Sequence, residues 1–71
     1  MGTTDALRNS LKAHRARLGL TQAELAERVN VSRKTINTVE NGVFIPSTLV
    51  ALKLAEALGL SVEELFFLDG E

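Results

Sequence analysis

Cysteine, tryptophan and tyrosine are absent from the 71-residue chain, and histidine and proline occur once each. Without cysteine there is no disulfide framework and no thiolate-held zinc, and one histidine cannot build a metal site. The longest unbroken apolar runs, such as Leu65-Phe66-Phe67-Leu68, are four residues, against roughly 20 for a membrane span. Met1-Gly2-Thr3-Thr4-Asp5 lacks the charge and apolar run of a signal peptide, and Ala6 breaks the N-myristoylation pattern. A cytoplasmic protein is the expectation. No Ser-His-Asp set, nucleotide-binding glycine loop or metal-ligand cluster is present, so neither catalysis nor a cofactor is expected.

What is present is ordinary globular material, 45% apolar and 24% charged. A single domain of this size without metal or disulfide must fold on its apolar core. That favours local helical contacts, or a dimer. The formal charge of −1 looks unsuited to nucleic acid, but it is unevenly spread. Residues 1–41 hold seven basic and four acidic side chains, a formal +3; residues 42–71 hold Lys53 and five acids, −4. A protein polarised in this way would meet a duplex with its N-terminal half.

Leu7, Leu11 and Leu18 fall on one helical face. This predicts a first helix over 4–18, with Asp5 in its first turn and Gly19 ending it. Thr21-Gln22-Ala23-Glu24 is a capping box, so a second helix should run from Gln22 to about Arg28. Asn30 suits the left-handed turn that follows. Ser32 caps a third helix ending near Asn41, and Gly42 stops it. Pro46 and Ser47 open a fourth, whose core face is Val50, Leu54 and Leu58, terminated by Gly59. Ser61-Val62-Glu63-Glu64 is a second capping box, opening a short fifth helix that ends near Phe66 or Phe67. The expected fold is a compact all-α, five-helix domain over 4–68, with a polar tail at 69–71.

Residues 22–41 place two short helices around a three-residue turn. Small Ala26 allows the helices to approach, Ile36 and Val39 face inward, and Arg33, Lys34, Asn37 and Thr38 share the other face. A helix with one buried face and one polar, partly basic face is suited to the major groove.

These residues resemble the phage-repressor or Cro type of helix-turn-helix domain, the XRE family. The resemblance rests on Leu20-Thr21-Gln22-Ala23-Glu24-Leu25-Ala26, Ser32-Arg33-Lys34-Thr35-Ile36-Asn37, Glu40-Asn41-Gly42, Pro46-Ser47 and Leu54-Ala55-Glu56-Ala57-Leu58-Gly59. It covers roughly residues 7–67; Asn30 stands where glycine is commoner. It implies a lambda-repressor-like fold and a sequence-specific, double-stranded-DNA-binding transcriptional regulator, a small repressor or autoregulator in a bacterial or archaeal nucleoid. It also implies roles. Gln22, Ser32, Arg33, Lys34, Asn37 and Thr38 are similar to base-facing residues. Arg33 and Lys34 suit guanine, Asn37 could pair with adenine, and the Thr38 methyl could meet thymine. Gln22, Thr35, Asn41 and the backbone N–H groups around Gly42 and Val43 are implied phosphate contacts. Arg15 and Glu40 are similar to a structural ion pair joining helix 1 to the end of helix 3. His14, beside Leu11 and Leu18, reads as a surface or half-buried helix residue.

Leu49, Leu52, Phe67 and Leu68 cannot all join the core face of their helices. Either packing is irregular over a small core, or they form a subunit interface. The second reading gives a homodimer on a palindromic operator, with reading helices about 34 Å apart. A different class of function stays open: a protein-interaction module, such as an antitoxin or bridging factor, recruiting partners through the acidic, Phe-rich end. So does a place as the N-terminal module of a longer regulator, with Phe67-Leu68 packed on the remainder.

Overall fold

The computed structural model describes residues 7–68. The expected role of Asp5, the helical start at residues 4–6 and the tail at 69–71 lie outside them. The element order is β1 (Leu7–Asn9), α1 (Leu11–Arg17), α2 (Gln22–Val29), α3 (Arg33–Glu40), α4 (Thr48–Leu58), α5 (Val62–Leu65) and β2 (Phe66–Leu68). Five helices are thus present among the described residues, but all-α is only approximate. β1 and β2 pair antiparallel, with Leu7 opposite Leu68, Arg8 opposite Phe67 and Asn9 opposite Phe66.

This corrects the first helix, which begins at Leu11 rather than residue 4. Asn9 explains the boundary. Its Oδ1 accepts the Leu11 N–H at 3.0 Å, while its Nδ2 donates to the Val39 carbonyl at 2.9 Å. Ser10 donates its backbone N–H to the Leu65 carbonyl and its hydroxyl to the Glu64 carbonyl. Residues 7–9 therefore pair with β2 instead of extending a helix, and Ser10 directs its N–H to Leu65 while its carbonyl takes the His14 N–H at the start of α1. The three-leucine face fails with it: Leu11 is buried, Leu7 is half-buried in the strand, and Leu18 is exposed.

The remaining boundaries follow local chemistry. Thr21 and Ser61 form complete capping boxes with Glu24 and Glu64. The Ser32 and Ser47 hydroxyls accept the third helical N–H of α3 and α4. Asn30 takes the left-handed conformation at φ 59°, so that the Val31 N–H reaches back to the Ala26 carbonyl at 3.0 Å. One core holds Leu11, Leu25, Ala26, Val29, Ile36, Val39, Leu54, Ala55, Leu58, Leu65 and Phe66. Val50, expected on the α4 core face, packs against that core half-buried. Leu11, Leu25, Ile36, Leu54 and Leu65 are fully enclosed. This core fixes α3 with Ile36 and Val39 inward, which turns its opposite face to solvent.

Candidate nucleic-acid interface

The outward face of α3 is the most concentrated polar surface linked to α2. Ser32, Arg33, Lys34 and Asn37 are exposed, and Thr35 and Thr38 half-exposed. Arg33 and Lys34 occupy the first turn of α3 and make no ion pair or side-chain hydrogen bond among the described residues. Cations at that end oppose the helix dipole, so local stability does not account for them.

The hydroxyls around these cations face the chain. Ser32 Oγ accepts the Thr35 N–H at 3.1 Å and shares a 2.9 Å hydrogen bond with the Thr35 hydroxyl. Thr38 directs its hydroxyl to the Lys34 and Thr35 carbonyls, each at 3.0 Å. Its methyl is then the group left for an outside contact.

At the base of this face lies a side-chain network. Arg15 Nε donates to Glu40 Oε2 at 2.6 Å and its Nη2 to Oε1 at 3.3 Å, while Nη1 reaches the Leu20 carbonyl at 2.7 Å. The Glu40 side chain is 2% exposed and that of Arg15 14%. The pair joins α1 to the end of α3 and also holds the chain entering α2. Gln22 Nε2 donates to Glu40 Oε1 at 3.0 Å and to Asn37 Oδ1 at 3.2 Å. Asn41 Nδ2 donates to the same Asn37 oxygen at 3.3 Å. No buried side-chain polar atom is left unpartnered among the described residues.

The backbone amides expected to hold phosphate are engaged within the chain. Gly42 N–H donates to the Val39 carbonyl at 3.1 Å, and the Val43 and Phe44 N–H groups donate to the Thr38 carbonyl at 2.9 and 3.2 Å. Gly42, at φ 73°, folds the chain back so that these amides close the end of α3. A helix C-terminus also carries the wrong dipole sign for an anion. Both hydrogens of the Gln22 side-chain amide are likewise engaged, which leaves its backbone N–H, in the first turn of α2, as the donor suited to a phosphate.

One feature of the face escaped sequence reasoning. Val43, Phe44 and Ile45 are exposed, and Val43 and Phe44 border an apolar cleft of about 310 Å³ with Lys34, Thr35 and Thr38. Three consecutive apolar residues between Gly42 and Pro46 were the available signal.

Elsewhere on the surface, Leu49, Leu52, Phe67 and Leu68 are all exposed, at 62, 53, 43 and 49%. Leu52 also lines an open groove of about 570 Å³ with Leu7, Pro46, Ala51, Val62 and Phe66. No group of three or more potential metal ligands occurs among the described residues, and no helix there is long and apolar enough to cross a membrane. His14 is half-buried on α1.

The Helix-turn-helix family model matches residues 11–65, spanning α1 to α5. The chain belongs to the helix-turn-helix family. It is 48% identical over 64 residues to an HTH-type transcriptional regulator of Methanothermobacter thermautotrophicus, covering 89% of this chain and 93% of that one. It is 40% identical over 65 residues to the HTH-type transcriptional regulator YgzD of Bacillus subtilis, covering 92% and 98%. Among solved structures, it is similar to the P22 c2 repressor protein in complex with synthetic operator 9T. The TM-score is 0.76 and the identity 31%, covering 86% of this chain and 89% of that one. This helix-turn-helix protein is therefore of a family of DNA-binding transcriptional regulators, not of enzymes.

Proposed function

We propose that this helix-turn-helix protein regulates transcription as a homodimer on a palindromic operator, with α3 reading base edges in the major groove. The observation that carries this reading is the pair Arg33 and Lys34: exposed, without a side-chain partner among the described residues, and placed against the helix dipole. Arg33 and Lys34 suit guanine N7 and O6, and the Thr38 methyl, with Val43 and Phe44 beside it, suits a thymine methyl or sugar. Phosphate falls to the N-terminus of α2 at Gln22 and to the Asn41 and Thr35 side chains. The similarity to a repressor solved on operator DNA supports the same docking.

Dimerisation is supported by the exposed Leu49, Leu52, Phe67 and Leu68, of which Leu52 also lines the apolar groove. A single domain supplies one reading helix, and two-fold pairing doubles the base contacts.

Selection from random duplex pools, followed by gel shift on the enriched site, tests the proposal. Arg33→Ala is expected to lower affinity for that site by about 1–3 kcal/mol and to relax preference at one base step. Unchanged affinity would remove Arg33 from the reading face.

A further inference from the structure

The polarity of two side-chain amides on the reading face follows from one carboxylate. Glu40 is enclosed and paired with Arg15, so its oxygens only accept. The Gln22 atom 3.0 Å from Glu40 Oε1 must therefore be its NH2. That same nitrogen lies 3.2 Å from Asn37, so the Asn37 atom facing it must be the carbonyl oxygen. Asn41 Nδ2 approaches this oxygen as well, at 3.3 Å. Two donors thus occupy the two lone pairs of Asn37 Oδ1. Asn37 Nδ2 has no partner among the described residues, and the side chain is exposed.

The usual pairing of asparagine with adenine needs both ends of the amide. The oxygen accepts from adenine N6 while the nitrogen donates to N7. In this network the oxygen is already occupied. An NH2 group presented alone could donate to adenine N7, but the neighbouring N6 amino group would then face a donor and find no acceptor. Guanine offers two adjacent acceptors, N7 and O6, and no donor beside them, so a lone NH2 can share one hydrogen between them. Thymine offers only O4.

We infer that the Arg15–Glu40–Gln22 relay sets Asn37 as a donor-only reader, so that the base step it contacts is a G·C pair with guanine facing it, and adenine is disfavoured there. Gln22 is then a specificity-positioning residue, acting on the base through Asn37. The inference rests on the reading of α3 as the base-contacting helix.

The test is operator selection with the full chain, run for the wild type, Asn37→Ala and Gln22→Met. The Asn37 step is the one whose preference flattens in Asn37→Ala, with affinity for the wild-type site falling about 5- to 150-fold. The expected wild-type preference at that step is G·C. Replacing its guanine by 7-deazaguanine, which lacks the N7 acceptor, should weaken wild-type binding and leave Asn37→Ala binding unchanged. In Gln22→Met, Asn37 is released from its strongest tie to the relay, and the step should come to accept A·T. An A·T preference in the wild type, no step dependent on Asn37, or indifference to 7-deazaguanine would each overturn the inference while leaving DNA recognition intact. Failure of the wild type to enrich any sequence would overturn the reading of α3 itself, and this inference with it.

Discussion

At the α2–α3 end, polar side chains hold one another: Arg15, Glu40, Gln22, Asn37 and Asn41 form one connected set. At the α4–β2 end, Leu49, Leu52, Phe67 and Leu68 stand in solvent. The first region is preorganised, because directional hydrogen bonds fix each amide before any ligand arrives. The second is apolar, which suits an interface that needs shape and area rather than register. Along the sequence the formal charge is positive over residues 1–41 and negative over 42–71. On the proposed function, a basic N-terminal half would help the protein approach DNA one way round.

The contrast can be broken first at Glu40. Glu40→Ala leaves the Arg15 guanidinium partly buried without its carboxylate, and a loss of about 3 kcal/mol is expected in denaturant unfolding. The same substitution removes the carboxylate acceptor of Gln22 and leaves it only Asn37, so site preference should relax along with stability. An unchanged unfolding midpoint would show that the relay is ornamental to the fold.

The capping boxes offer a matched pair across the two regions. Thr21→Ala and Ser61→Ala should each cost about 1 kcal/mol. Only the former, at the start of α2, should also weaken DNA binding, because it loosens the helix that presents Gln22. Acid should act on both boxes together. The Glu24 and Glu64 carboxyls are held below their ordinary value of 4.5 by hydrogen bonds from the backbone and hydroxyl of Thr21 and Ser61. Depressed carboxyls lend stability that is complete above that ordinary value and is lost as pH falls through the lowered one. Thermal melts between neutral pH and pH 3 should show the loss only at the acid end, and less of it in either alanine variant.

The smallest effect on stability is expected at the α4–β2 end. Leu52→Lys replaces an exposed side chain and should change the stability of the isolated domain by no more than about 0.5 kcal/mol. Sedimentation at micromolar concentration should nonetheless shift from dimer to monomer. A wild type that already sediments as a monomer without DNA would remove the α4–β2 end as a subunit interface.

Much of this fold was legible because its signals are local. Thr21, Ser32, Ser47 and Ser61 each bond to an N–H three residues on, and Asn30 and Gly59 turn the chain with their own backbone. Such features need only neighbouring residues, so spacing reveals them. The strands were not legible. Leu7 and Leu11 also fit a helical spacing, and what makes Leu7–Asn9 a strand is Phe66–Leu68 at the opposite end of the chain. The identities of the reading-face residues were equally legible, since side-chain type and helical phase place them. Their hydrogen-bonding state was not.

The sequence by itself determined the starts of α2 to α5, the turn between α2 and α3, and the face on which Arg33, Lys34, Asn37 and Thr38 lie, because periodicity and capping are short-range physics. Tertiary structure alone decided that residues 7–9 pair with 66–68, that Gly42 and Val43 use their amides to close α3, and that Asn37 presents its NH2. Each of these depends on which group a donor or acceptor meets in space. For Asn37 that group is Gln22, fifteen residues away and held by Glu40.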